Sequence, residues 1–271
     1  MAFASNSLLT RLALGTGEID AATFTAIRLV AGAIVLVAIV RVRDGGFAVL
    51  RGGGMVGPLA LFAYAAPFSF AYVRIGAAVG ALVAFGCVQI TMVGAGLIRG
   101  DRPSARTWLG LALASGGLLA LTLPSVNRPD PIGVASMIVA GAAWGIYSLA
   151  GRASREPIAA NARSFLWSSG LALLLVALSA GRVVATAHGA ALAAISGAVT
   201  SGIGYVVWYR ALPRLSVTQA AVAQVCTPIL AALGAMAFLG EPVSARLVAA
   251  GIAVLSGVAL VMAPPRAQRG A

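Results

Sequence analysis

Hydrophobic and polar positions along this chain alternate in blocks rather than in single steps. Apolar runs are separated by short breaks rich in Gly, Pro, Arg and acids. The block pattern predicts helices near 2–14, 22–42, 55–73, 77–98, 106–123, 131–151, 161–180, 189–211, 217–239 and 244–263. Most of these runs reach the roughly 20 residues that cross ~30 Å of hydrocarbon at ~1.5 Å per residue. Membrane strands are excluded, because the runs are too long and lack a two-residue period. The expected fold is an all-α polytopic membrane protein of ten transmembrane helices.

Composition removes the soluble alternatives. Of 271 residues, 60% are hydrophobic and 10% are charged, against about a quarter charged in an average soluble domain. Mean hydropathy is +0.97. A soluble enzyme and a disordered chain are both excluded. The formal net charge of +12 comes from 19 basic residues, every one an arginine. If the amino terminus is cytoplasmic and the helices alternate, thirteen arginines fall on the cytoplasmic side. The opposite side receives five: Arg11, Arg74, Arg128, Arg182 and Arg246. That bias predicts a multi-pass protein of the inner cell membrane with both termini cytoplasmic. It also accounts for the charge without a nucleic-acid partner.

The chain repeats itself. RGDRPSAR at 99–106 returns as LGEPVSAR at 239–246, a shift of 140 residues that pairs Gly100 with Gly240, Asp101 with Glu241 and Arg106 with Arg246. The same shift pairs Phe68 with Trp208, and one residue more pairs Phe3 with Trp144, Ser7 with Ser148 and Arg11 with Arg152. Five helices per repeat is an odd number, so the second copy must insert upside down, as in many transporters whose solute site lies between the halves. The expected units are a first repeat at 1–124, a second, inverted repeat at 131–264, and a cytoplasmic tail at 265–271. The first helix has only about 13 residues before Gly15, or ~20 Å at ~1.5 Å each, too short to cross the core. The repeat register predicts a truncated first helix, with on the order of ten residues expected upstream of Met1 by the length rule for spanning helices.

These residues carry a resemblance. AFASNSLLTRLAL followed by IDAATFTAIRLVAGAIVL, the Trp144–Tyr147 pair and TPILAALGAMAFLGEPVSA are similar to EamA-type members of the drug/metabolite transporter superfamily. The resemblance covers essentially the whole chain. It implies ten helices in two inverted repeats, with helices one to four and six to nine around a cavity and the fifth and tenth peripheral. It also implies movement of small metabolites, often amino acids or related compounds, and frequently export.

The chemistry inside the apolar runs is sparse. All seven acids lie in or beside loops, no histidine is embedded, and no GxxxxGK[ST] phosphate loop occurs. A carboxylate-based proton antiporter, an intramembrane hydrolase and an ATP-driven pump are all disfavoured. Cys87 and Cys226 read as small apolar fillers, with no metal-ligand spacing. No cofactor, metal or catalytic residue is expected.

Arg28 is the one full charge placed at membrane depth, near the outer third of the second helix. If the first two helices form a tight hairpin, it should face Asn6, Ser7 and Thr10. Two readings stand for it: a guanidinium satisfied internally or by snorkelling, and a cation that recognises a carboxylate. Gln89, Thr91, Trp144, Tyr147, Gln224 and Thr227 complete the candidate substrate-binding set. Pro228 is a candidate kink or gate, while Tyr205 and Trp208 suit an interfacial belt. The expected protein is a secondary transporter, not an enzyme, that exports a small polar or amphipathic metabolite. The alternatives are a drug or nucleotide-precursor permease and a non-transporting membrane scaffold. A small-molecule substrate and the lipid bilayer are the expected partners, with a homodimer as the alternative to a single chain.

Overall fold

Local chemistry marks where each helix begins and ends. In the computed structural model, which describes residues 2–46, 52–122, 130–179, 183–239 and 245–263, ten helices follow one another. They are α1 (Ala2–Gly15), α2 (Ala21–Asp44), α3 (Val56–Ala77), α4 (Val79–Ile98), α5 (Ala105–Thr122), α6 (Pro131–Arg152), α7 (Pro157–Leu178), α8 (Ala187–Arg214), α9 (Val217–Gln224 and Cys226–Leu239) and α10 (Ala245–Met262). Asp20 caps α2 by accepting from the Thr23 N–H, and Gly45 ends that helix with φ +71°. Asp130 caps α6 and Thr186 caps α8, while Ser216 and Gln219 form a capping box on α9. Each cap satisfies backbone donors that a helix start leaves unpaired. Gly76, at φ +70° and ψ 176°, breaks one long helix into α3 and α4. That conformation is cheap only for glycine.

Several helices differ from the expected ranges, α3 among them, which runs four residues further, to Ala77. Helix α7 starts four residues early because Pro157 suits a first helical position, where no N–H is needed. Helix α8 runs on to Arg214 through a π-helical stretch at Ser196–Ile203 and a closing 3-10 turn at Leu212–Arg214. Helix α9 is interrupted at Val225.

Eight of the ten helices are long and apolar enough to cross a membrane. The two that fall outside are α1 and α5. Helix α1 has 14 residues, and α5 opens on Arg106 and Thr107, which lower the hydropathy of its 18 residues. The expected count of ten helices therefore resolves into ten helices with eight apolar spans. The expected tail at 265–271 lies outside the described residues.

Polar contacts at the two ends show that successive helices run in opposite senses. At one end Arg74 pairs with Asp130 at 2.8 Å and His188 with Glu18 at 2.6 Å. At the other, Arg43 pairs with Glu156 at 3.1 Å, and Arg106 at the start of α5 donates to the Ala263 carbonyl beyond α10. These are called the Arg74 end and the Arg43 end below. Small residues set the helix spacing, as expected where lipid offers no hydrophobic drive between helices. A methyl added at Gly145 would sit 2.8 Å from Thr91 Cβ, and one at Gly80 would sit 2.9 Å from the Met137 methyl. Gly110 and Gly257 face each other across the α5–α10 seam, and Gly117 lies against Ala250 and Val254 in the same seam. The wider core around Leu29, Leu36, Phe165 and Tyr205 lies where α2, α7 and α8 meet.

Candidate functional site

Helix α3 carries Tyr64, Phe68 and Tyr72 at four-residue intervals, which puts all three rings on one face. Neighbouring rings along this face lie 5.6 and 5.7 Å apart. The face lines a cavity of about 280 Å³ whose other walls are Phe3, Asn6, Ser7 and Arg11 of α1, Trp144 of α6, and Gln224, Thr227 and Pro228 of α9. From Trp144 the cavity reaches Ala77, Gly80 and Thr122, near the Arg74 end.

Trp144 forms the floor. Its ring meets Phe3 at 5.4 Å, Tyr64 at 4.8 Å and Tyr205 at 5.2 Å, in edge-on or tilted geometries that suit aromatic quadrupoles. Its Nε1–H donates to Gln224 Oε1. Gln224 is placed by the break in α9. Pro228 has no N–H, and its ring crowds the carbonyl four residues back, which is that of Gln224; the helix is interrupted one residue later, at Val225. The Gln224 amide then donates back to the Ala220 carbonyl at 3.1 Å and to Met92 Sδ at 3.5 Å. Asn6 is held from the opposite side, its Oδ1 accepting from Ser196 Oγ at 2.6 Å and Thr200 Oγ1 at 3.4 Å.

The structure thus brings Asn6, Ser7, Trp144, Gln224, Thr227 and Pro228 together around one cavity and leaves four candidates elsewhere. Gln89 accepts from Ser115 of α5 at 2.8 Å, away from the cavity. Thr91 packs under Gly145 in the α4–α6 seam. Tyr147 lines a separate hollow near the Arg43 end. Arg28 is 2% exposed and lies behind Tyr64, donating to Tyr64 Oη and Ser201 Oγ, both at 3.2 Å. The hairpin premise fails here because α1 packs chiefly on α8 and touches α2 only lightly, so its polar face is taken by Ser196 and Thr200. Tyr205, read from sequence as a belt residue, is 1% exposed and sits in the aromatic core beside Phe3. Trp208 likewise packs on Phe3, at 5.6 Å.

Sequence reasoning missed Tyr64, Phe68, Tyr72 and Arg11. The four-residue spacing of the α3 rings was the available signal, but in so apolar a chain an aromatic stripe reads as ordinary packing. Arg11 reads from sequence as one of the five arginines opposite the cytoplasm and as the repeat partner of Arg152, not as a cavity residue.

At the Arg43 end polar side chains bridge neighbouring helices. A hollow of about 160 Å³ remains between Gly54, Gly57, Tyr147, Asn161, Arg163, Ser164 and Tyr209. Tyr147 Oη donates to Asn161 Oδ1, and Tyr209 Oη donates to the Tyr147 carbonyl at 3.2 Å. Ser168 Oγ donates to the Pro58 carbonyl at 2.7 Å, and the Arg163 guanidinium lies against Gly53. Neither cavity is lined by an acid, a histidine or a cysteine. Among the described residues no cluster suited to a metal ion is present.

Eight apolar spans around a chamber that nears one end of the bundle define a multi-pass helical membrane protein with a solute-sized internal site. Residues 131–263 match the sequence profile of the EamA-like transporter family. The chain is 47% identical over 264 residues to the uncharacterized protein PA1977 of Pseudomonas aeruginosa, covering 97% of this chain and 92% of that one. A solved crystal structure shares the fold with a TM-score of 0.80 at 22% identity, covering 96% of this chain and 95% of that chain. The chain belongs to the EamA-like transporter family and is a membrane transporter.

Proposed function

We propose that this protein is a secondary transporter that moves a small amphipathic metabolite, such as an amino acid, across a bacterial inner membrane by alternating access. The observation that carries the reading is the asymmetry of the bundle. A chamber near one end stands above a zipped, hydrogen-bonded closure at the other, which is what one state of an alternating cycle requires. By the arginine bias the Arg43 end is cytoplasmic and the chamber faces outward. Export is the expected direction.

Two inverted repeats, 1–124 and 131–264, supply the two exits. Residues equivalent under a twofold axis touch each other only where they lie on it. Phe3 and Trp144 are paired by the 141-residue shift and their rings are in contact at 5.4 Å. Tyr64 and Tyr205, one from each half, both pack on Trp144. The aromatic cluster thus supports an axis running through the chamber floor. A packed scaffold has no use for such a chamber. The aromatic lining of Phe3, Phe68, Tyr72 and Phe85 favours a cargo with an apolar body, which keeps a drug permease as the second reading.

Counterflow in proteoliposomes tests both. Radiolabelled amino acids and lipophilic drugs are offered as alternative cargoes, and accelerated exchange of an amino acid is the expected result. Exchange of drugs alone selects the second reading, and exchange of neither defeats transport by this chamber. Single-cysteine labelling should find positions beside Arg102 and Arg155 on the cytoplasmic side and positions beside Glu18 and Asp130 outside.

A further inference from the structure

Arg28 is the most unusual group in the molecule. It carries a full charge at the heart of the bundle, seven residues into α2, and is 2% exposed. Its hydrogen-bond partners are neutral hydroxyls, Ser201 Oγ to Nε and Tyr64 Oη to Nη2. The Tyr205 hydroxyl also faces it. The Tyr64 ring adds a cation–π contact at 5.5 Å. Nη1 is buried with no hydrogen-bond partner, and among the described residues no carboxylate lies within ion-pair distance of the guanidinium. An uncompensated buried charge costs several kcal/mol by the general scale for buried ions, so its retention calls for a compensating anion at some point in the protein's working cycle.

The route by which an anion could arrive is short. Tyr64 is both a wall of the chamber and the ring that covers Arg28. The two are therefore one side chain apart. A rotation of Tyr64 about its side-chain bonds, without any helix movement, would bring the guanidinium to the chamber surface opposite Trp144. The chamber offers no acid to compete for it.

We propose that Arg28 is a latent carboxylate-binding group behind a Tyr64 shutter. A solute with an apolar or aromatic body enters between Phe68, Tyr72 and Trp144, and its carboxylate displaces the Tyr64 hydroxyl to take a two-pronged hydrogen bond from Nη1 and Nη2. The fork of an arginine matches the planar oxygen pair of a carboxylate. Replacing one neutral acceptor by a charged one satisfies the orphaned Nη1–H as well. This assignment rests on the reading of the chamber as the transport site and adds the chemical class of the cargo, an organic solute that bears a carboxylate.

The test compares two probes of matched size, phenylacetate and the neutral phenylacetamide, bound to the purified full-length protein in detergent and measured by titration calorimetry. Wild type should prefer phenylacetate by about tenfold, the scale of a charge-assisted, two-pronged contact. Arg28→Gln should reduce that preference to below about twofold, and Arg28→Lys should retain only part of it, because the charge stays and the fork is lost. Tyr64→Phe removes the competing hydroxyl without touching the charge. It should tighten phenylacetate by about fivefold, the equivalent of one neutral hydrogen bond. This variant keeps the proposal open to refutation even if the Arg28 variants fold poorly.

A preference that survives Arg28→Gln but disappears in Arg11→Gln would overturn the assignment and move anion recognition to the chamber mouth. Loss of affinity in Tyr64→Phe would overturn the shutter. Binding of phenylacetamide that is abolished by Trp144→Ala supports the chamber independently of Arg28. Failure of wild type to bind either probe would bring down the chamber reading and the Arg28 assignment together.

Discussion

The two ends of this bundle are built from different materials. Toward the Arg74 end, the space between α1, α3, α6 and α9 is lined by rings and small aliphatic side chains that leave a chamber. Toward the Arg43 end, polar groups close the path in pairs: Tyr147 with Asn161, Tyr209 with the Tyr147 carbonyl, Ser168 with the Pro58 carbonyl and Arg152 with the Leu215 carbonyl. The difference teaches how closure is made reversible. A close-packed apolar core resists separation, because cavities there are costly in proportion to their volume. Hydrogen bonds of net worth about 1 kcal/mol each can be exchanged for water as the end opens.

Trp144→Ala should break the comparison most severely. It removes the ring on which Phe3, Tyr64 and Tyr205 converge and leaves the Gln224 carbonyl without its donor. Thermal unfolding in detergent should show a loss on the order of 3–5 kcal/mol, the range for large aromatic truncations, and counterflow should fall to background. A stable variant with normal exchange would mean that the floor of the chamber is not where solute sits.

Next comes the seam that belongs to neither end. Gly257→Val should cost about 1–3 kcal/mol through overpacking, since an added methyl would meet Ala114 backbone N at 2.7 Å and the Gly110 carbonyl. Labelling of cysteines at the two ends should be unaffected if α5 and α10 are only a peripheral brace. Altered labelling at either end would show that the seam moves during opening.

Asn161→Ala is the sharper probe of the closed end. Without its acceptor Tyr147 should be released, and a cysteine at Gly54 or Ala150, beside the hollow, should label about fivefold faster. That factor corresponds to a shift of roughly 1 kcal/mol in the closure. Unchanged labelling would locate the closure in the apolar contacts instead.

The smallest effect concerns the surface of the Arg74 end, where Asp20 joins two loops. Its backbone N–H donates to the Val184 carbonyl, and its carboxylate accepts from the Thr23 and Val184 N–H groups, beside the Ile19–Ala185 bridge. Partial burial pushes this carboxyl up, but those backbone hydrogen bonds outweigh it and hold it below the usual carboxylate range. A depressed value means the contribution is present at neutral pH and is lost as pH falls through the lowered value. Asp20→Ala should cost about 1 kcal/mol, as for the loss of a helix N-cap, and should abolish the acid-side loss of protection of the Val184 amide in hydrogen exchange. The neighbouring His188–Glu18 pair is solvated, with His188 68% exposed, and Glu18→Gln should change stability by less than about 0.5 kcal/mol.

Much of this molecule is legible in its apolar blocks. Helix boundaries emerge within a few residues of expectation because Asp20, Asp130, Ser216 and the Gly76 break act locally, through backbone groups at most a few positions away. Gly141, which lies against Ala84 and Cys87, and Gly145, against Thr91, share one face of α6 by their four-residue spacing alone. Helix number and the membrane setting follow for the same reason: hydropathy and the arginine bias are sums over short segments, independent of how the segments later meet.

What lies across the bundle was decided by tertiary packing. Whether Asn6 faces Arg28 or Ser196 depends on which neighbour α1 leans against, and that choice belongs to the whole set of small-residue seams. Gln89 and Gln224 look alike in sequence, each a lone amide in an apolar run, yet one meets Ser115 at the periphery and the other holds Trp144 at the chamber floor. Tyr64 was indistinguishable from ordinary core until the fold set it between the chamber and Arg28. Residue type and period determine a helix and its faces, whereas rotation of each helix about its axis is a collective property of the packed bundle, and it alone assigned the buried polar groups to their partners.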